Sequence, residues 1–187
     1  MSATTMADRT NPWEVTARTV VYAAIGAALY AVAGLFEFTL PGTANVSLRP
    51  AFALVTFFGF AFGPIPGLFV GLVGNAIHDQ LAGYGLLTYW DWSLANGLAG
   101  FFTGWVAFTM MRSMPNKLVL AAVAAVIGIV IGFIAVFIDL FIGSADSFST
   151  ALTANYLPAV IGDVIVAIIL TPILVAIWDP LQESMGR

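Results

Sequence analysis

Six apolar segments, separated by short polar or Gly/Pro-containing breaks, occupy almost the whole chain. Charged residues are only 9% of the 187 residues, whereas a soluble domain uses about 25% to solvate its surface. A helix of roughly 20 residues crosses the bilayer core, and only internally hydrogen-bonded helices suit such segments. The sequence therefore predicts an all-α integral membrane protein with six transmembrane helices, at residues 15–36, 50–62, 65–81, 92–111, 118–142 and 151–178.

One membrane domain is predicted at 13–180, between an N-terminal tail at 1–12 and a C-terminal tail at 181–187. The second segment is short, so we expect a tilted or partly buried helix, separated from the third by the prolines at Pro64 and Pro66. An alternative is that the first segment is a signal peptide, cleaved near Ala33. The apolar run continues through Leu35 and Phe36, which favours a membrane helix.

The positive charges predict the orientation. If successive helices alternate in direction, five of the six fall on one side: Arg9, Arg18, Arg112, Lys117 and Arg187. Only Arg49 falls on the other side. Because positive charges accumulate in cytoplasmic loops, both termini are predicted to be cytoplasmic and Arg49 external.

The net charge of -4 offers no basic face for nucleic acid, and the absence of cysteine excludes thiolate catalysis and thiolate metal sites.

Costly polar side chains concentrate toward the predicted external ends of the helices. Asn75, His78 and Asp79 stand at i, i+3 and i+4, so they share one stripe of helix 3. Similar positions on helices 1, 4, 5 and 6 carry Glu37, Asp91, Asn96, Asp139, Asn155 and Tyr156. Asp163 alone lies deeper, and Tyr156, seven residues before it, is predicted to share nearly the same helical face. Such groups inside a membrane indicate a functional site by default.

Aromatic residues follow the helix 3 stripe, among them Tyr84, Tyr89, Trp90 and Trp92. Aromatic walls with a few polar groups are typical of a pocket for a flat heteroaromatic molecule. Two structural alternatives stay open. The aromatics also suit an interfacial belt, and the polar groups also suit a hydrogen-bond network between helices.

Small residues form a second pattern, on helix 1. Ala23, Ala27 and Ala31, with Ala24 and Ala28, make a smooth face that permits close helix approach in lipid. By itself this stripe favours packing within the bundle. Gly67, Gly71 and Gly74, and the pairs Gly100/Gly104 and Gly128/Gly132, favour close internal contacts in the same way.

At this point the residues resemble a known family. The TVVYAAIGAALYAVAGLF run, the NVSLRPAFALV start of helix 2, the FGPIPGLFVGLVGNAIHD run and the WDWSLANGLAG start of helix 4 look like the substrate-binding S components of energy-coupling factor (ECF) transporters. Within these, the chain is most similar to the riboflavin-type group. That group has a His-Ala-x-Lys-Asp run on helix 3 where this chain has Asn75, Ala76, Ile77, His78 and Asp79.

The resemblance implies a multi-pass protein of a prokaryotic cell membrane that binds a vitamin or similar micronutrient near the external face and does not hydrolyse ATP. It implies docking, surrounded by lipid, on a transmembrane coupling protein (T component) that carries two cytoplasmic ATPases. It also implies that Ala23, Ala24, Ala27 and Ala28 contact this partner, and that the loop from Glu37 to Arg49 forms a movable lid.

We therefore predict capture of a heteroaromatic micronutrient, riboflavin-like or a vitamin precursor, beneath that loop. The predicted substrate-binding residues are Asn45, Arg49, Asn75, His78, Asp79, Tyr84, Trp90, Trp92, Asn96, Asn155 and Tyr156. No cofactor or resident metal is expected. The alternatives are a metal or ion transporter subunit using His78 and Asp79, a scaffold without ligand, and an intramembrane enzyme. The last lacks an HExxH, GxSxG or Walker motif.

Overall fold

Six helices build the chain in the computed structural model, which describes residues 13–43 and 46–185. They are α1 (Ala17–Ala33), α2 (Phe52–Phe62), α3 (Pro64–Leu81), α4 (Trp90–Met110), α5 (Lys117–Ile142) and α6 (residues 148–185). Each coincides with one of the six predicted segments to within several residues. The predicted tail at 1–12 lies outside the described residues, and residues 181–185 of the predicted C-terminal tail continue α6.

Local sequence explains where several helices begin. Thr16 caps α1 in a reciprocal pair with Thr19, which satisfies amide groups that the first turn leaves open. The Asn116 side chain accepts from the amides of Leu118 and Val119 at the start of α5. Between α2 and α3 the break is at Gly63, whose φ of 105° suits glycine, and Pro64 starts the next helix.

Two departures from regular helix lie near the site. Phe133–Ile138 of α5 form a 3-10 helix before Asp139–Ile142 complete it. In α6, the turn at Phe148–Thr150 is followed by the π-helical Ala151–Tyr156 and the long α-helical Leu157–Met185. The apolar pattern predicts both segments as continuous helices, because hydropathy does not distinguish these helix types.

A small hairpin lies between α1 and α2. Its strands, β1 (Phe38–Thr39) and β2 (Ser47–Leu48), pair antiparallel, with Phe38 opposite Leu48. The sequence predicts only a loop here, since two-residue strands leave no alternation to detect. The hairpin gives the predicted lid a defined backbone beside the ends of the helices.

Glycine contacts join α2, α3 and α4. A Cβ on Gly100 would lie 2.3 Å from the backbone oxygen of Gly67, and one on Gly59 would lie 2.2 Å from that of Gly100. Only glycine permits this approach, as the sequence predicts for Gly67 and Gly100. The short α2 is almost fully buried between its neighbours. Its 11 residues span about 16 Å, less than the thickness of the hydrocarbon core.

The bundle has two chemically distinct ends. At one end, Tyr22 at the start of α1 packs on Phe62 at the end of α2 and on Trp178 near the end of α6. There Lys117 also donates to Asp179 at 2.5 Å. The opposite end contains the hairpin and the buried polar stripe of Asn75, His78 and Asp79. Two of the described helices, α5 and α6, are long and apolar enough to cross a membrane.

Candidate functional site

A partly enclosed cavity of about 100 Å³ lies at the end of the bundle that carries the hairpin. Each of the six helices, or a segment that adjoins it, supplies residues to the lining. The ends of α1, α3 and α5 meet the beginnings of α2, α4 and α6 there. The lining residues are Glu37, Val46, Ser47, Arg49, Asn75, His78, Asp79, Tyr84, Tyr89, Trp92, Phe133, Ala159 and Asp163. The cavity therefore combines ionisable and amide groups with four aromatic side chains.

Asn75 is the centre of the hydrogen-bond network on one wall. Its Oδ1 accepts from Arg49 Nη1 at 2.8 Å and faces the Tyr30 hydroxyl at 3.2 Å. Its Nδ2 lies 3.1 Å from Asp79 Oδ2 and 3.0 Å from Ser93 Oγ. The amide is 1% exposed. Asn75 therefore joins α1, α3, α4 and the chain before α2, and it fixes Arg49 at the cavity wall.

His78 is oriented by its neighbour. Its Nδ1 lies 3.0 Å from Asp79 Oδ1 and 3.3 Å from Arg49 Nη1. Because a carboxylate only accepts hydrogen bonds, we assign the Nδ1 proton to the contact with Asp79. Nε2 is buried without a hydrogen-bond partner among the described residues, and its nearest carboxylate oxygen, on Glu37, is 3.8 Å away. His78 thus presents one unpartnered ring nitrogen beside the cavity.

Arg49 also has an unpartnered polar atom. Its Nη1 donates to Asn75, whereas its Nε is buried and has no hydrogen-bond partner in the described part of the chain. Buried polar groups are normally paired, so each exception requires an explanation. The Arg49 and His78 nitrogens together offer a ligand a donor and a second group that is a donor or an acceptor according to its protonation.

Aromatic side chains form the rest of the lining. Tyr84 and Tyr89 are 46% and 42% exposed and meet edge to face with centroids 6.2 Å apart. Trp92 meets the buried Phe133 in the same manner at 6.4 Å. The Tyr84 hydroxyl donates to Glu37 Oε1 at 3.4 Å, and the charge of Glu37 raises the pKa of Tyr84. This contact joins the end of α1 to the loop between α3 and α4.

The structure separates the predicted binding residues into two groups. Six of them line the cavity: Arg49, Asn75, His78, Asp79, Tyr84 and Trp92. Asn96 is fully buried behind it, where its Oδ1 faces the Tyr30 hydroxyl at 3.1 Å and its Nδ2 donates to the Trp92 carbonyl. Trp90 is 44% exposed and is not in the lining. Asn45 lies outside the described residues.

Asn155 and Tyr156 lie apart from the cavity lining. Asn155 Nδ2 donates to Asp139 Oδ2 at 2.7 Å, and Asp139 lies close enough to Asp91 for the two carboxyl groups to interact electrostatically. All three residues are at most 3% exposed, so they form a second buried polar cluster joining α4, α5 and α6. The Tyr156 hydroxyl donates to the carbonyl of Val130 at 2.9 Å.

Several lining residues were absent from the predicted set. They are Glu37, Val46, Ser47, Tyr89, Phe133, Ala159 and Asp163. Of these, Glu37 and Asp163 could have been predicted by the criterion used for the polar binding residues, since each is an ionisable residue at or within an apolar segment. Tyr156 is predicted to share nearly the same face as Asp163; it lies two turns before Asp163, where its hydroxyl donates to the Val130 carbonyl, and it does not line the cavity.

The alanine stripe of α1 divides between two faces. Ala23 and Ala27 are 5% and 2% exposed, and a Cβ on Gly74 of α3 would lie 3.1 Å from the backbone oxygen of Ala27. Ala24 and Ala28 are exposed on the outer face of α1. Only the second pair is available to a partner in this conformation.

No group of three or more His, Cys, Asp or Glu that could hold a metal ion occurs among residues 13–43 and 46–185.

The family model described as "ECF-type riboflavin transporter, S component" matches residues 14–179. A UPF0397 protein of Vibrio atlanticus (strain LGP32) is 44% identical over 95 residues, which are 51% of this chain and 50% of that protein. The chain thus spans about half the length of this curated relative. No solved structure matches the chain.

Proposed function

The chain belongs to the ECF-type riboflavin transporter S component family, and we propose that it captures a heteroaromatic micronutrient at the external face of a prokaryotic cell membrane for ATP-driven uptake. Family membership makes it a membrane-embedded transport subunit and not an enzyme. The nature of the substrate, the direction of transport and the energy source belong to the proposal.

The observation that supports this function best is the cavity. It combines four aromatic side chains with buried polar atoms that have no partner among the described residues, Arg49 Nε and His78 Nε2. Ligand pockets have this composition, in which apolar walls supply contact area and a few polar groups fix orientation. In a ligand-free scaffold, unpaired groups would only cost stability. A ligand that pairs with them supplies a physical reason for their presence.

The distribution of charge supports an external position for the cavity. Arg18, in the first turn of α1, and Lys117, at the start of α5, lie toward the end of the bundle opposite the cavity, while Arg49 lines the cavity itself. With positive charge cytoplasmic, the cavity faces outward and the chain crosses the membrane six times with cytoplasmic termini. The hairpin between α1 and α2 then serves as the external lid, since Val46 and Ser47 line the cavity beneath it.

We assign energy supply to partners, as the family implies. A transmembrane coupling protein would dock on α1, whose outer face exposes Ala24 and Ala28. Small side chains allow a partner helix to approach closely in lipid. Two cytoplasmic ATPases would drive release of the ligand to the cytoplasm. Co-purification of the tagged chain with these subunits from its own membranes would test the assignment.

The binding function is tested by ligand-induced stabilisation. The chain is purified in detergent and its melting temperature is measured with flavins, thiamine precursors, pyridoxine-type vitamins and purine or pyrimidine derivatives. We expect at least one class to raise the melting temperature in a saturable manner, because a ligand that binds only the folded state stabilises it. Failure of every class would contradict the proposal. A dependence on divalent cations alone would instead favour the metal transporter alternative.

A further inference from the structure

Asp163 is the deepest ionisable residue of the cavity lining by its position in α6. It follows Ala159 by one helical turn, and both residues line the cavity. The side chain is 6% exposed, so lipid and bulk solvent are both excluded from most of it. The sequence places it deeper than the other polar residues but predicts no role for it.

No described residue donates a hydrogen bond to the Asp163 carboxylate. The Arg49 guanidinium attracts it electrostatically, without a hydrogen bond between the two side chains. An isolated carboxylate is very costly in a medium of low dielectric constant. Buried charges are therefore paired, and the open space that this carboxylate lines is the cavity.

The net formal charge of the cavity lining is negative. Three carboxyl groups, those of Glu37, Asp79 and Asp163, line the cavity with one guanidinium, that of Arg49. Asp79 is occupied by contacts with Asn75 and His78, and Arg49 donates to Asn75. Glu37 accepts from the Tyr84 hydroxyl through Oε1 only, so Glu37 Oε2 and the Asp163 carboxylate can both accept hydrogen bonds from a ligand. An excess of negative charge in an enclosed space attracts a cation.

We propose that Asp163 binds a positively charged nitrogen of the substrate, and that the substrate is a heteroaromatic ring carrying a basic amine or amidine. This inference rests on the proposed function and narrows its substrate class. The ring lies among the aromatic side chains, its basic nitrogen meets Asp163, and an acceptor atom elsewhere on the ring meets Arg49 Nε. A neutral three-ring flavin lacks the group that Asp163 requires.

Matched pairs of probes test the charge. Pyridoxamine and pyridoxine differ only in an aminomethyl against a hydroxymethyl group, and the same two forms exist for the aminopyrimidine half of thiamine. Affinities are measured by the change in tryptophan fluorescence, since Trp92 lines the cavity. In at least one pair, we expect the amine to bind more tightly by about tenfold or more, as a charge-assisted hydrogen bond is worth more than a neutral one.

Variants then assign this preference to one side chain. Asp163→Asn keeps the size of the side chain and should remove most of the preference for the amine, whereas Asp163→Glu should retain it. Asp179→Asn is the matched control, because Asp179 lies on the same helix at the opposite end of the bundle and pairs with Lys117. Melting temperatures of all variants show whether each is folded.

Three results overturn the inference. In the first, riboflavin or the neutral members bind as tightly as the amines, and in the second, Asp163→Asn keeps the preference. In the third, a neutral ligand binds more tightly as sodium replaces choline in the buffer, and Asp163→Asn abolishes that effect, which would assign the charge to a sodium ion. Each of these leaves the proposed function intact. If no probe binds the wild-type chain, the proposed function fails together with this inference.

Discussion

Individual polar side chains in this bundle either form hydrogen bonds with one another or line the cavity. Asp79 does both, because its two oxygens contact Asn75 and His78 while the residue lines the cavity. In an interior of low dielectric constant such a network is rigid when every member is paired and costly when one is removed. Its value to function is that it holds Asn75, His78 and Arg49 in one arrangement before a ligand arrives.

Replacing Asp79 with alanine should weaken ligand binding. The change releases both Asn75 and His78, so we expect a loss of affinity of about tenfold, or ~1.4 kcal/mol. Titration calorimetry with a ligand found in the stabilisation screen measures this. Asp146→Ala, in the exposed loop after α5, is the control. An unchanged affinity with a lowered melting temperature would show that the network is structural only.

Replacing Asn155 with alanine should affect stability and not binding. Its amide donates to the buried Asp139, and loss of a donor to a buried acceptor costs about 1–3 kcal/mol. We therefore expect a lower melting temperature with ligand affinity unchanged within a factor of about two. A large loss of affinity in a variant that melts normally would instead place Asn155 in the binding site, as the sequence predicts.

The residue types of the site follow from the sequence, but their grouping does not. A polar residue in an apolar segment is visible in the sequence, and the spacing of Asn75, His78 and Asp79 correctly places them on one face. Whether Asn155 or Asp163 meets that face depends on the rotation of α6 about its axis. Asn155 lies in the π-helical Ala151–Tyr156, which departs from the 3.6-residue period, and no hydropathy pattern reports this departure.

The close packing of α2, α3 and α4 depends on glycine. Within lipid there is no hydrophobic force between helices, so close van der Waals contact between backbones stabilises the bundle. The glycines of α2, α3 and α4 provide this contact. Because α2 is too short to cross the membrane by itself, its position depends on these neighbours.

Gly100→Ala should destabilise the bundle strongly. The added Cβ would lie 2.3 Å from the Gly67 oxygen, and backbone atoms cannot give way as a flexible side chain can. We expect a loss of about 1–3 kcal/mol or more, measured as a lower melting temperature in detergent. Gly162→Ala is the matched control, since its Cβ would meet only the end of Leu48, at 3.0 Å. Equal melting of the two variants would contradict this packing account.

Among the elements, the sequence predicts the number of helices and most of their limits from apolar length and from the Gly/Pro breaks. It does not predict the hairpin of β1 and β2, because strands of two residues have no measurable period. The sequence also does not predict the 3-10 segment at Phe133–Ile138, because hydropathy does not distinguish a 3-10 helix from an α-helix. It matters to the site because Phe133 lines the cavity.

The two ends of the molecule differ chemically, since one carries the polar cavity and the other does not. Its orientation in the membrane is therefore testable. The chain contains no cysteine, so an introduced one is a unique label. A membrane-impermeant maleimide should label Thr39→Cys, in the exposed strand β1, on intact cells. It should label Ser113→Cys, in the loop between α4 and α5, only after permeabilisation. The reverse pattern would invert the orientation, and labelling of both variants on intact cells would contradict the three crossings, by α2, α3 and α4, that separate them.

The central claim is that the cavity holds a substrate between Arg49, His78 and Asp163. The most direct test is an experimental structure of the chain purified from its own cells and supplied with the best-stabilising compound. The account predicts density for one small molecule in the cavity, with polar atoms within hydrogen-bond distance of Arg49 Nε and the Asp163 carboxylate. Ligand density elsewhere, with the cavity closed by rearranged side chains, would contradict it.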